Sequence, residues 1–189
     1  MITIRHERAA DIPAREALLD RVFGDARLRK SAERLRQGRL PAQGLSFVAE
    51  QQGRIVGTVR LWHVSAGPAR PALLLGPLAV DGAQRRQGIG ASLMLHAIEA
   101  ARALGHPAVL LMGDAPYYGR FGFSADKTGA LWLSGPYERD RLLVRELVPG
   151  ALDNCRGLIA ASGLCAPASG LDRLTTKPAR KRARKLHAA

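Results

Sequence analysis

The stretch that most restricts what this chain can fold into is GPLAVDGAQRRQGIGASLMLHAIEAA, residues 76–101. An apolar run, ALLLGPLAV, delivers the chain into a basic, glycine-rich loop, and that loop opens the strongest helical pattern in the sequence. Ile89, Leu93, Ala97, Ala100, Ala101 and Leu104 recur on one face of a helix over residues 88–104, and Gly105 follows as a stop. The run before the loop is apolar on both faces, as a central strand is, but Gly76 and Pro77 interrupt it. Pro77 has no N–H to give to a ladder, so the strand must bulge there or a neighbour must part from it.

The flanking segments supply the rest of a mixed sheet. ITIRH alternates like a half-buried strand, and AADIPAREALLDRVF carries Ile12, Leu18, Leu19, Val22 and Phe23 at helical spacing. DARLRKSAERLRQGRLP predicts a second helix through Leu28, Ala32 and Leu35, stopping at Gly38 and Pro41. LSFVAEQQGRIVGTVRLWHV reads as a β-hairpin turned at QQGR. PAVLLMG is a short buried strand, DAPYYGRFGF a helical turn opened by Asp114, and LWLSG and RLLVRELV are further strands. Hairpins mixed with one crossover give an α/β or α+β sheet. Residues 151–172, rich in turn formers, are expected to wrap onto the surface.

Composition bounds the class. With 189 residues, 47% of them hydrophobic, the chain suits one globular domain. The net charge of +13 divides unevenly. Residues 173–189 hold 7 of the 29 Lys and Arg and none of the 16 acidic residues. That stretch reads as a solvated, flexible tail with weak, nonspecific affinity for nucleic acid. No apolar run reaches the roughly 18 residues of a membrane helix, and the N-terminus is charged within five residues. Two cysteines make neither a metal-ligand pattern nor a disulfide scaffold, so no metal is expected and a reducing cytoplasm fits.

Gly88 and Gly90 admit close approach of a ligand, and the free N–H groups of Gly88 to Ala91 present the positive end of a helix dipole. With Arg85 and Arg86 beside them, they make a phosphate or pyrophosphate site. No Lys follows either glycine as a P-loop requires. Leu93 stands where a dinucleotide fingerprint needs Gly or Ala, and no acidic residue follows at the required distance. Neither fingerprint is met, so the segment reads either as a site for a phosphate of another kind or as a plain helix start with permissive glycines.

VDGAQRRQGIGASL resembles motif A of the GCN5-related N-acetyltransferases, Arg/Gln-x-x-Gly-x-Gly/Ala, with Arg85, Gly88 and Gly90 in the fixed places. PYYGRFGF, residues 116–123, is similar to the family's Tyr-containing motif, and LGPLAV with YYxRFGF points to a bacterial branch of predicted N-acetyltransferases. The resemblance spans about residues 2–152, implying an acetyltransferase domain over residues 1–152, a packed extension over 153–172 and the tail. It implies a mixed sheet of about seven strands, splayed where acetyl-CoA binds as co-substrate. Leu78 and Val80 would give backbone contacts to pantetheine. Arg85, Arg86, Gln87, Gly88, Ile89, Gly90 and Ala91 would hold the pyrophosphate, and the N–H of Ala79 or Val80 would polarise the thioester carbonyl.

The implied chemistry is direct acyl transfer from a thioester to an amine, which needs one group to take a proton and another to give one. Tyr118, five residues before Phe123, matches the family's Tyr. A phenol of pKa about 10 donates to a thiolate whose acid has a pKa of about 8.5. Tyr117 takes that role if the turn is shifted by one. Glu50 and Asp114, each at a strand end, are candidates for the base or a substrate contact; Asp114 before Pro116 reads first as a helix cap, and His63 as an ordinary half-buried histidine or a neutral base. An ordered water is the alternative. Gly82 replaces a common Pro before motif A, and the Asn often found after the next strand is missing at Leu111 and Met112. A small-molecule or peptide amine is the expected acceptor. A non-catalytic acyl-CoA sensing module and an enzyme recruited to nucleic acid by its tail are the rival readings.

Overall fold

A computed structural model of the protein describes residues 1–68 and 70–167, so the basic tail lies outside the described residues. The chain runs β1 (Ile2–His6), α1 (Ile12–Phe23), α2 (Ser31–Arg34), β2 (Ser46–Gln51), β3 (Arg54–Ala66), β4 (Pro71–Val80), α3 (Ile89–Ala103), β5 (Ala108–Met112), α4 (Ala115–Gly119), β6 (Leu131–Trp132), β7 (Leu142–Glu146) and β8 (Gly157–Ala161). The sheet is ordered β1-β2-β3-β4-β5-β7, with β8 pairing β3 and β6. The β2–β3 hairpin turns on Gln52 and Gly53, whose positive φ of 49° and 73° suits the right-handed twist of its strands.

Alternation along the strands feeds a layer on each face. Leu73 of β4 and Val109 of β5 join Leu93, Met94, Ala97 and Ala101 of α3 on one side. Leu74 and Leu110, one residue on, join Trp62, Leu131, Leu142 and Ile159 on the other. Leu18 and Leu19 of α1 close over Ala79 in a smaller cluster.

Both consequences expected of Gly76 and Pro77 occur. The β3–β4 register shifts between Val59 and Leu61, opposite that pair. β4 and β5 are paired in parallel only at Leu73 with Val109 and Leu74 with Leu110. Beyond Leu74 the two central strands part, and the sheet opens between them.

Two segments differ from the sequence reading. Residues 25–41 do not form one helix. A 3₁₀ stretch at Asp25–Arg29 ends at Lys30, which is extended (φ −67°, ψ 143°), before α2 begins. Arg27 is drawn to Glu16 at 2.6 Å and Asp20 at 2.8 Å, Ser31 Oγ donates to the Pro136 carbonyl, and Leu28 is left 61% exposed. Local ion pairs thus outweigh the helical period. Residues 157–161, expected in the surface wrapping, form β8 against Val64–Ala66, which brings the count to eight strands among the described residues. Burial alternates along it, with Ile159 buried between exposed Leu158 and Ala160, but the exposed positions are apolar too, so the sequence offers no alternation to read.

Candidate active site

The loop between β4 and α3 is built for close approach by an anion. Asp81 caps its first turn by accepting the Ala83 N–H at 3.1 Å. Arg86 and Gly88 both take positive φ, 67° and 76°, and Gly88 serves as the N-cap of α3. That left-handed turn, which glycine adopts without the cost of a Cβ, aims the first N–H groups of α3 outward. Arg85, Arg86, Gln87 and Gly88 are exposed, Ile89 is buried in the core as an anchor, and Gly90 and Ala91 are half-buried. Arg85 and Arg86 have no ion-pair partner among the described residues.

Where the strands part there is a cleft of about 720 Å³, lined by Leu75 to Leu78 of β4 and Leu111 to Asp114 at the end of β5. Leu78 and Val80 are half-buried against the α3 layer, and Ala79 turns the other way onto α1. Tyr117 and Tyr118 of α4 enter the cleft together, their rings edge to face at 4.9 Å. The Tyr117 hydroxyl lies 3.4 Å from where a Cβ on Gly90 would sit, so α4 bridges the start of α3 and the cleft. Burial pushes the Tyr118 phenol above its ordinary value; Tyr117 adds to the shift and Arg141 opposes it. The hydroxyl is therefore protonated throughout the neutral range.

Gly113 positions that ring. A Cβ there would fall 2.0 Å from Tyr118 Cε2, so the phenol packs directly on the bare backbone at the end of β5. The sequence reading passed over Gly113, since nothing local distinguishes it from any glycine at a strand end.

The candidate carboxylates separate. Asp114 lines the cleft and is exposed. Its backbone carbonyl takes the N–H groups of Tyr117 and Tyr118, while its side chain makes no capping bond and faces the cleft free of that duty. Glu50 is not among the cleft residues. Its carboxylate is held by Arg5 at 2.6 Å, on the β1–β2 edge, because Arg5 sits two positions from Thr3, the register partner of Glu50, and so on the same face, where it also grips Asp11. His63 is likewise outside the cleft, with its ring 5.3 Å from that of His106. The structure adds cleft residues that sequence pattern did not single out, among them Glu33, Arg36, Glu138 and Arg141. They come from segments 31–36 and 136–141, which are distant in sequence and joined here by the Ser31–Pro136 hydrogen bond. Among the described residues no group of three His, Cys, Asp or Glu is placed to hold a metal ion, and no helix is long and apolar enough to cross a membrane.

A sheet opened between two parallel central strands, with a glycine-capped helix following the first of them, defines the acyl-CoA N-acyltransferase fold. Residues 12–123 match the Acetyltransferase (GNAT) family. Over 157 residues the chain is 30% identical to the uncharacterized N-acetyltransferase YhbS of Escherichia coli K12, covering 82% of this chain and 93% of that protein. The crystal structure of Escherichia coli YhbS in complex with CoA superposes with a TM-score of 0.72 at 30% identity, covering 88% of this chain and 96% of that one. A GNAT family acetyltransferase from Brucella melitensis in complex with acetyl-CoA gives 0.65 at 25% identity over 86% and 96%. The chain belongs to the GNAT acetyltransferase family, and it is an acyltransferase.

Proposed function

We propose that the protein transfers an acetyl group from acetyl-CoA directly to a primary amine, with both substrates held in the cleft between β4 and β5. The observation that carries this reading is the cleft at the parted strands that holds the α4 tyrosines, with the Tyr117 hydroxyl set beside Gly90 at the start of α3. Acetyl-CoA supplies a thioester already activated for attack by an amine. The N–H groups from Gly88 to Ala91 bind its pyrophosphate, and Arg85 and Arg86 add charge there. Backbone groups of Leu78 and Val80, with no β5 partner at that level, bind the pantetheine arm in ladder fashion. The N–H of Ala79 or Val80 orients and polarises the thioester carbonyl.

Tyr118 donates the proton from its Oη to the departing sulfur, and its raised pKa keeps that proton in place until the thiolate forms. Asp114 faces the acceptor ammonium, draws it into the cleft and takes its proton directly or through one water. A reducing compartment, the cytoplasm, suits the two free thiols of Cys155 and Cys165.

Acetyl-CoA should raise the melting temperature, and Gly88→Glu, which sets a carboxylate where the pyrophosphate binds, should abolish that rise. Amine-dependent release of free CoA thiol tests the transfer, and Tyr118→Phe should lower kcat about 10²-fold or more. Stabilisation by acetyl-CoA with no CoA release across a broad amine panel would instead identify a binding module.

A further inference from the structure

Arg36 stands apart from the other charges around the cleft. It follows the α2 turn, where the buried side chains of Ala32 and Leu35 fix its direction, and its own side chain is only 10% exposed. Nε donates to the Ala32 carbonyl at 3.2 Å and lies 3.5 Å from Glu33 Oε2. Nη1 is fully buried and has no hydrogen-bond partner among the described residues. It lies 3.7 Å from where a Cβ on Gly76 would sit, at the point where β4 leaves β5. The Gly76 carbonyl beside it already accepts the Trp62 indole N–H at 2.6 Å.

A guanidinium stays charged at any physiological pH, and a buried donor left unpaired is costly, so such a group persists where something else supplies its acceptor. Like the other cations of the cleft, Arg36 has a partner, Glu33 near Nε, and it differs from them in the buried Nη1 left without a hydrogen bond. Arg27 is engaged by Glu16 and Asp20, Lys30 lies over the Phe23 ring, and Arg141 has Glu138.

Resting on the acetyltransferase reading, we propose that Arg36 receives a carboxylate of the acceptor, so that the preferred substrates are amines that also carry a carboxylate. The planar fork of a guanidinium matches a carboxylate in shape and charge. Arg36 then holds one end of a zwitterionic acceptor while Asp114 faces its ammonium, which aligns the amine with the gap between the strands. Arg36 is a specificity-determining residue in this scheme and takes no part in proton transfer.

The test pairs α-amino acids with the amides of the same amino acids, following CoA release by the wild-type protein and by Arg36→Gln and Arg36→Met. Wild type should favour the acids, and each variant should lose about 10- to 100-fold in kcat/KM on the acids while changing little on the amides. Calorimetry of N-acetyl amino acids against N-acetyl amino acid amides, with CoA present, reads the same preference without turnover. Arg36→Met should also leave the melting temperature of the free protein unchanged or raise it, whereas a purely structural arginine would lower it. Equal rates and equal binding for acids and amides in wild type overturn the assignment and leave acetyl transfer standing; they are also what a water bonded to Nη1 predicts. No release and no binding with either series overturns it as well, and the melting response to acetyl-CoA then shows whether the cofactor reading survives.

Discussion

Gly113→Ala should separate the placement of Tyr118 from its chemistry. The added methyl falls 2.0 Å from Tyr118 Cε2, 2.5 Å from Cδ2 and 3.0 Å from Cζ. Ordinary carbon contacts lie at about 3.5–4.0 Å, so the ring must retreat by about 1.5 Å. Its way back is occupied by Tyr117, with ring centroids 4.9 Å apart, and by Phe123 at 6.3 Å. Gly113 has no positive φ, so the cost is steric and comes to about 1–3 kcal/mol of stability, as for other overpacked sites. A proton donor displaced by more than 1 Å loses about 10²-fold in rate. The assay is single-turnover release of CoA thiol at saturating acetyl-CoA, with the melting response to acetyl-CoA measured alongside to show that the cofactor still binds. Because both substitutions act on one hydroxyl, adding Gly113→Ala to Tyr118→Phe should lower kcat little further. A kcat within twofold of wild type for Gly113→Ala would refute the assignment of Tyr118 as the acid. Losses that multiply in the double variant would show that Gly113 acts on something else.

The glycines of the α3 start should differ from one another. Gly88→Ala meets no atom within 4 Å but forces an alanine to φ +76°, at about 1–2 kcal/mol, and should raise the KM for acetyl-CoA; Gly90→Ala makes ordinary contacts within the protein and should leave the melting temperature of the free protein nearly unchanged. The rate with pH reports the acid. Since burial raises the Tyr118 pKa and its protonated form is the active one, kcat should hold on the alkaline side up to about pH 10, and a fall centred near 8.5 would point to a different donor. Asp11 provides a check on acid stability. Hydrogen bonds from Arg5, and from the Arg8 N–H, hold its carboxyl at about 2 against 3.8 when free. The unfolded chain therefore binds the extra proton between those values, so the stability from this pair is complete above pH 4 and is lost as pH falls towards 2. Discounted for solvent screening it amounts to about 1 kcal/mol, and Asp11→Asn should flatten that part of the melting curve against pH.

The parts of this protein legible in its sequence are those whose physics is local. The helical period of residues 88–104 survives as α3 because six of its side chains are buried on one face. Pro77 announced the opening of the sheet because an imino residue cannot serve a ladder whatever surrounds it. Asp114, Tyr117 and Tyr118 came together because one helical turn carries all three. What sequence pattern missed depends on partners outside the element concerned. The period of residues 25–41 was real, yet Arg27 found two carboxylates on α1, and the helix broke at Lys30. Strand β8 exists because Val64–Ala66 offer it an edge that β2 has already left, a vacancy visible only in the register of β3. Glu50 looked as available as Asp114 from its place at a strand end. Arg5, 45 residues away in sequence, had already claimed it. The same distance rule explains why the acceptor side was the less legible half. The loop proposed to bind the cofactor is one continuous segment, whereas the cleft lining combines Arg36 with Gly76, Gly113 and the 136–141 segment, and only the fold brings these together. Within that lining, specificity is read best from the group whose hydrogen bonds the protein itself leaves unfinished, and that group is Arg36.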